Sequence, residues 1–303
     1  MTAPRQVLPK RTSMISRRCT QRLFLLRPDA ETNAIFEYCL ADASRRTGVG
    51  VIAWLLMSNH YHAIVYDPEG RLPEFTEHLH KMLAKVLNAR WGRSENLWSS
   101  EETCVTHLPT AEDIFRKVLY LLANPLTADL VDRLTDWPGS SSFLRPTGRR
   151  TVHQRPKIFF RANGTMPEQV ELQTMLPPEI LANETAESWD ARVRAAVEEE
   201  EKAARERRLR EGRRVAGRKA VLGASPFDSP NTLEAPSTLR PHLAAADRER
   251  RIEALRDLRA FRVAHEAARL RFVQGERDVI FPPGTYRMRR WGARCAESVP
   301  LAA

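Results

Sequence analysis

Cysteine is scarce in this chain, four residues in 303, and the four are scattered at Cys19, Cys39, Cys104 and Cys295. Without a Cys-x-x-Cys pair there is neither a zinc knuckle nor a disulfide framework, and reduced thiols in a cytosolic protein are the plain reading. No apolar run approaches the roughly 18 residues needed to span a bilayer, and the basic amino terminus has no adjoining signal-peptide core. The expectation is a cytoplasmic, nucleoid-associated protein with no membrane partner. The Phe/Tyr-rich strand motif by which an RNA-binding sheet stacks bases is also lacking. Acidic residues are outnumbered: the formal net charge is +10 and the pI about 9.9, which suits a polyanionic partner without proving one.

What is present starts with His60-Tyr61-His62, inside the apolar segment 51–66 that reads as a buried hairpin. On a strand, side chains two apart leave the same face, so both imidazoles can reach one divalent metal ion. The second His-x-His, His78-Leu79-His80, lies among Phe75, Leu79, Met82, Leu83, Val86 and Leu87 at helical spacing behind Pro73. Helical neighbours two apart diverge, so His78 and His80 are expected on a helix surface and not as ligands.

Residues 110–124 read as a helix started by a capping-box-like Thr110 and Asp113 and stopped by Pro125. Its apolar stripe is Ile114, Phe115, Val118, Leu121 and Leu122, and Tyr120 projects roughly 170° away from that stripe. A tyrosine on the polar face can simply cover a neighbouring element. Here Arg116 and Lys117 precede it by a turn, Asn124 follows a turn later with an oxygen to offer, and the histidine pair lies upstream. Together these suggest a site for polynucleotide phosphate.

In order along the chain, Met57-Ser58-Asn59-His60-Tyr61-His62, Tyr120-Leu121-Leu122-Ala123-Asn124-Pro125 and Asp136-Trp137-Pro138-Gly139-Ser140-Ser141 resemble the HUH single-strand DNA transposases, specifically the REP-associated tyrosine transposase branch. The resemblance covers roughly residues 15–145. Ser58 stands where the family usually has proline, and Tyr61 is bulkier than the usual aliphatic residue between the histidines. The resemblance implies that His60 and His62 are metal ligands with Asn124 as the third, that Tyr120 is the nucleophile, and that the cofactor is Mg²⁺ or Mn²⁺. A phenol with a pKa of about 10 in water needs such help to attack a phosphodiester at neutral pH. The products would be a 5′-phosphotyrosine and a free 3′-hydroxyl. Because the covalent bond conserves the phosphodiester energy, a second 3′-hydroxyl can rejoin strands without ATP. The implied partner is single-stranded or hairpin DNA.

Around these motifs the chain reads as an α+β protein. A strand is expected at 19–27, a helix at 29–46, hairpin strands at 48–57 and 60–66, a helix at 73–90 and a strand near 97–108. This β-α-β-β-α-β order is the split-βαβ pattern, a ferredoxin-like antiparallel sheet with packed helices, here followed by a largely helical C-terminal extension. The expected division is a catalytic domain at 1–145, a basic linker at 146–183, and a mainly helical accessory or DNA-binding region at 184–303.

Residues 143–161 contain no acidic residue and carry Arg145, Arg149, Arg150, Arg155, Lys157 and Arg161 around Phe159 and Phe160. Such a segment can neutralise phosphates and stack bases, or can be a solvated linker. Arg116 and Lys117 join it as expected nucleic-acid contacts. Residues 213–224 could form a turn in a small DNA-binding module, 225–241 a linker, and 247–274 a long amphipathic helix with Ile252, Leu255, Leu258 and Phe261 on one side. Phe281-Pro282-Pro283-Gly284-Thr285-Tyr286 resembles a segment in C-terminal extensions of the same family. Spacing leaves open whether Tyr120 serves its own histidine pair or that of a partner subunit, so a homodimer stays open. The alternative from another class is a nucleic-acid-binding regulator that keeps the fold and no longer cuts.

Overall fold

In the computed structural model, which describes residues 4–161, 163–232 and 241–297, strand β1 (Arg11–Arg18) leads to helix α1 (Ala30–Thr47), and β2 (Gly50–Leu56) and β3 (His60–Asp67) form a hairpin. Helix α2 (Leu72–Trp91) then leads to β4 (Cys104–His107). The strands lie in the order β2-β3-β1-β4 and every neighbouring pair is antiparallel. That chain order with that strand order is the ferredoxin-like sheet the sequence predicts.

The helix boundaries follow local chemistry. Asp29 caps α1 by accepting the Thr32 N–H at 2.9 Å, and Gly48 ends it in the left-handed conformation. Thr110 caps α3 (Ala111–Leu122) by accepting the Asp113 N–H at 3.1 Å. The Asp113 carboxylate accepts from Thr110 Oγ1 and from the backbone N–H of Ala246, joining this helix start to the distant C-terminal region.

After α3 come the short α4 (Asn124–Thr127), a two-stranded sheet of β5 (Arg150–Gln154) and β6 (Gln169–Gln173), and α5 (Pro178–Leu181). The long α6 (Ala186–Glu211), α7 (Gly217–Gly223), α8 (Arg248–Val273) and α9 (Tyr286–Arg290) complete the described α-helices and strands.

The pleat of the main sheet sorts its residues into two cores. Ile15, Val51, Trp54, Tyr61, Ala63 and Val65 face α1 and α2, packing with Phe36, Leu40, Phe75 and Leu83. Met14, Ile52, Ala53, Leu55 and Ile64 face the other way, against Ile114, Val118 and Leu121 of α3 and Trp189, Val193 and Val197 of α6. A bulge between Val51 and Ala53 gives β2 one extra residue, which lets Ile52 and Ala53 both serve the second core. By the same alternation, His60 and His62 leave β3 on the α3 side.

The Trp-Pro-Gly-Ser-Ser segment is a clamp on β2. Trp137 Nε1 donates to the Leu56 carbonyl at 3.1 Å, the Leu56 N–H donates to the Ser140 carbonyl, and Trp54 Nε1 donates to Ser140 Oγ at 2.8 Å. Gly139 is required by contact, since a Cβ there would lie 2.5 Å from the Leu56 carbonyl oxygen. These bonds occupy groups that an edge strand would otherwise present for pairing.

Four expectations are corrected. The first strand is residues 11–18, not 19–27. The apolar Leu25 and Leu26 are fully buried, but in a loop, because Gln21 and Arg22 have φ of 50° and 59° and break any strand there. The true strand is more polar in sequence yet central, its backbone paired with β3 and β4 on both sides. His80 is buried and not on a helix surface, while His78 is bonded to Asp42 of α1 at 2.7 Å. The stretch 146–183 contains the β5-β6 hairpin, whose Val170 and Leu172 join the first core, so it is folded structure and not simply a linker.

Finally, residues 252, 255, 258 and 261 do not share one side of α8: Phe261 is buried and Ile252 and Leu255 are exposed. A strict spacing of three drifts about 60° per step round a helix, and four such positions cover half its circumference.

Basic residues at the end of α6 bind inward. Arg207, Arg208 and Arg213 surround Asp129, and Arg208 also pairs with Asp132. Helix α7 seats Val221 in the second core. The Phe281 segment docks on the amino terminus: Val7 N–H donates to the Gly284 carbonyl at 2.9 Å. Gly284 has φ 84°, and a Cβ there would lie 2.7 Å from Gln6 Cγ. Part of the expected 225–241 linker, residues 233–240, lies outside the described residues.

Candidate nucleic-acid-cleaving site

The site forms where strand β3 passes beneath helix α3. His60 and His62 stand side by side, ring centroids 4.9 Å apart and planes at 84°. Tyr120, 51% exposed, stands over the second imidazole, the two rings 5.9 Å apart and edge-on. Lys117, one turn before the tyrosine, places its ammonium 4.7 Å from the centre of the phenol ring. Residues 60 and 62 of β3 and 117 and 120 of α3, more than fifty positions apart in the chain, are thus brought together.

The two imidazoles are held differently. The Asn59 amide donates through Nδ2 to the Arg22 carbonyl at 3.2 Å, which turns its Oδ1 to His60 Nδ1 at 2.7 Å. An amide oxygen can only accept, so His60 Nδ1 carries the hydrogen and Nε2 is the basic nitrogen. His62 is 8% exposed and its Nδ1 is buried with no hydrogen-bond partner. Burial, then the neighbouring His60 and Lys117, push its pKa down to about 3, so it is neutral at physiological pH with its lone pair available.

A buried imidazole nitrogen without a partner is costly unless something meets it, and a second imidazole stands beside it. These residues fit a metal ion that takes nitrogen ligands, with the remaining positions filled by oxygen. Among the described residues no group of three or more His, Cys, Asp and Glu could hold a metal. Asn124, expected as the third ligand, spends its amide nitrogen on the carbonyls of Tyr120 at 2.8 Å and Leu121 at 3.2 Å, leaving Oδ1 as its acceptor.

The remaining expected contacts divide. Arg116 pairs with Glu112 at 2.7 Å on the exposed face of α3. Arg145 is tied to Glu37 and lies over the Trp54 ring at 5.4 Å, so its charge is used inside the fold. Arg155 donates to the Met166 carbonyl at 2.6 Å, and Arg150 pairs with Glu171 at 3.6 Å. Arg149 and Lys157 are exposed.

Sequence reasoning assigned no role to Asn59, Arg17 or His80. Arg17 Nη1 lies 3.1 Å from His80 Nδ1 and 3.1 Å from Thr103 Oγ1, while His80 Nε2 meets the hydroxyl of Tyr61. Asn59 could have been found, since it stands in the motif itself. His80 could not, because no spacing rule links it to position 61.

No protein-family model matches the chain, and no curated protein matches it. Among solved structures it is similar to a REP-associated tyrosine transposase bound to a REP hairpin, at 19% identity over 48% of this chain and 84% of that one, with a TM-score of 0.41. It is also similar to a protein described as a candidate transposase of Deinococcus radiodurans R1, at 19% identity over 41% of this chain and 97% of that one, with a TM-score of 0.30. Among the described residues no helix is long and apolar enough to cross a membrane.

Proposed function

We propose that the protein cleaves and rejoins single-stranded DNA at hairpin or repeat sequences, through a 5′-phosphotyrosine at Tyr120. The observation that carries this reading is the approach of Tyr120 to His62 across two elements, 5.9 Å between rings. A tyrosine that merely covered an apolar neighbour would not need a buried, unpartnered imidazole beneath it. The ordered motifs of the HUH resemblance support the same assignment.

In this reading, strand DNA lies across the half-exposed phenol. Tyr120 Oη attacks the scissile phosphorus, forming the Tyr–O–P bond as the P–O3′ bond breaks. The phenolic proton passes to solvent and the departing 3′ oxygen takes up a proton. The reverse attack by a second DNA 3′-hydroxyl restores the phenol and a phosphodiester. Lys117, 4.7 Å from the ring centre, stabilises negative charge on the phenol oxygen and on the phosphate.

His60 and His62, with Asn124 as the expected third ligand, would hold Mg²⁺ or Mn²⁺. When bound there, the ion supplies Lewis-acid withdrawal of charge from the scissile phosphate oxygens. The Asn59 bond keeps His60 in the tautomer that presents Nε2. Burial keeps His62 unprotonated.

The test is incubation of the chain with labelled single-stranded hairpins from its genomic repeats, with Mg²⁺, Mn²⁺ or chelator. A denaturant-resistant adduct, metal-dependent and mapped to Tyr120 by mass spectrometry, is expected, and Tyr120→Phe should abolish it while leaving binding and melting temperature nearly unchanged. Full cleavage by Tyr120→Phe would remove the proposed nucleophile. Binding without an adduct across repeats and metals would favour a non-cutting regulator.

A further inference from the structure

Helix α8 buries one side and leaves the other bare. Phe261 and Ala268 are buried, the latter in a small core with Val279 and Phe281. On the opposite side Ile252, Leu255, Val263, Leu270 and Val273 are between 39 and 69% exposed. At about 100° per residue these five fall in a sector of about 80°. Arg259 and Glu266, both exposed, lie in the same sector. From 252 to 273 the stripe takes six steps over 21 residues, about 3.5 per step, the period of a two-helix seam and not of a random scatter.

The stripe is also complementary to its own reverse. Laid antiparallel on a second copy so that Ile252 meets Val273, it sets Leu255 against Leu270 and Arg259 against Glu266, and brings both Val263 side chains to the centre. Each contact then occurs twice, as a twofold axis requires. A stripe built for a flat foreign surface has no reason to place its one acidic residue as far from the centre as a basic one on the other side.

We propose that this face of α8 is the seam of a homodimer, two copies of the chain pairing α8 antiparallel about a twofold axis beside Val263. Glu266 already accepts from Arg269 within its own helix at 2.7 and 2.9 Å, and a carboxylate has acceptor capacity for a second guanidinium. The flanks differ in charge: Arg251, Arg262 and Arg269 lie on one side, while Arg256 and Arg271 on the other are interspersed with Glu249 and Glu253, and Arg271 is already paired with Glu276. The seam's adhesion therefore comes from its apolar contacts, with the Arg259–Glu266 pairs setting the register, and apolar contacts persist at high salt. Binding of polyanion to the arginines of α8 weakens steeply with salt and is told apart in that way.

Sedimentation velocity on the full chain, over a concentration series and at low and high salt, reads this directly. The expected result is a reversible dimer that persists at high salt. Arg259→Glu or Glu266→Arg alone sets like charges opposite each other twice and should weaken association by about tenfold or more. Combining Arg259→Glu with Glu266→Arg restores the pairing and should recover most of the loss. Leu255→Asp with Leu270→Asp should give a monomer of unchanged helicity. A chain that sediments as monomer throughout, or a dimer that survives Leu255→Asp with Leu270→Asp, overturns the proposal. For orientation, an Ile252→Cys chain mixed with a Val273→Cys chain should form a disulfide dimer beyond the parent background; efficient cross-linking of Ile252→Cys to itself would show parallel pairing and overturn the twofold arrangement.

Discussion

His80 Nε2 lies 2.5 Å from the hydroxyl of Tyr61, the residue between the two site histidines. Arginine can only donate, so the bond from Arg17 to His80 Nδ1 makes that nitrogen the acceptor and leaves the hydrogen on Nε2, pointed at Tyr61. The back of the strand that carries His60 and His62 is thus anchored in the first core by one neutral imidazole, with Trp98 holding the His80 carbonyl at 3.0 Å.

Removing this anchor should act on stability first. His80→Ala leaves the buried Tyr61 hydroxyl without its partner and Arg17 with Thr103 alone, and should lower stability by about 1–3 kcal/mol, the cost of one orphaned buried group plus a weakened neighbour. Tyr61→Phe removes one partner only and should lose about 1 kcal/mol. Urea unfolding of the three proteins measures both; a His80→Ala protein as stable as the parent would show that the network is not formed.

The metal assignment has a readout independent of catalysis. His62→Ala removes an imidazole whose Nδ1 has no protein partner, so Mn²⁺ affinity by calorimetry should fall by about tenfold or more. Asn59→Ala frees the His60 ring and should weaken the ion less, through orientation alone. Unchanged Mn²⁺ binding in His62→Ala would put the ion elsewhere.

The basic residues of the segment after the clamp should separate by effect. Arg145→Ala leaves Glu37 with His153 and Ser140 and without its guanidinium, and should lower the melting temperature. Arg149→Ala with Lys157→Ala touches only exposed charge; it should leave the melting temperature unchanged while weakening single-stranded DNA binding and reducing its salt slope. Fluorescence anisotropy at several salt concentrations, beside a thermal melt, distinguishes the two classes.

Acid should destabilise the protein before its carboxylates titrate. Burial pushes His107 down to about 4 and His62 to about 3, and holds His80 well below the usual range. All three are neutral in both states above about pH 6.5, where the unfolded chain's histidines begin to take up protons that the folded chain refuses. Stability is therefore full above that pH and falls as the pH drops from about 6.5 towards 4. Glu37 and Asp42, held low by hydrogen bonds and ion pairs that outweigh their burial, extend the loss only at lower pH. His107→Gln should flatten the pH slope in this window by about one proton, ~1.4 kcal/mol per pH unit. An unchanged slope would contradict the burial of His107.

Residue order and spacing were enough for the β-α-β-β-α-β chain, the hairpin carrying His60 and His62, and the outward face of Tyr120. Those features depend on local periodicity and on caps such as Asp29 and Thr110, which act within a turn of the chain. The choice of 11–18 over 19–27 as the first strand was not local. Thr12, Ser13 and Ser16 gain strand character only from β3 and β4 on either side, and Leu25 and Leu26 find burial without joining a sheet. The same holds for His80, where helical spacing sets its direction but only the arrival of Arg17 and Tyr61 from other strands makes that direction an interior. Charge was the least legible of all. Arg145 and Arg149 are indistinguishable in composition, and only the fold, by bringing Glu37 and Trp54 to one of them, makes it a structural brace and leaves the other in solvent.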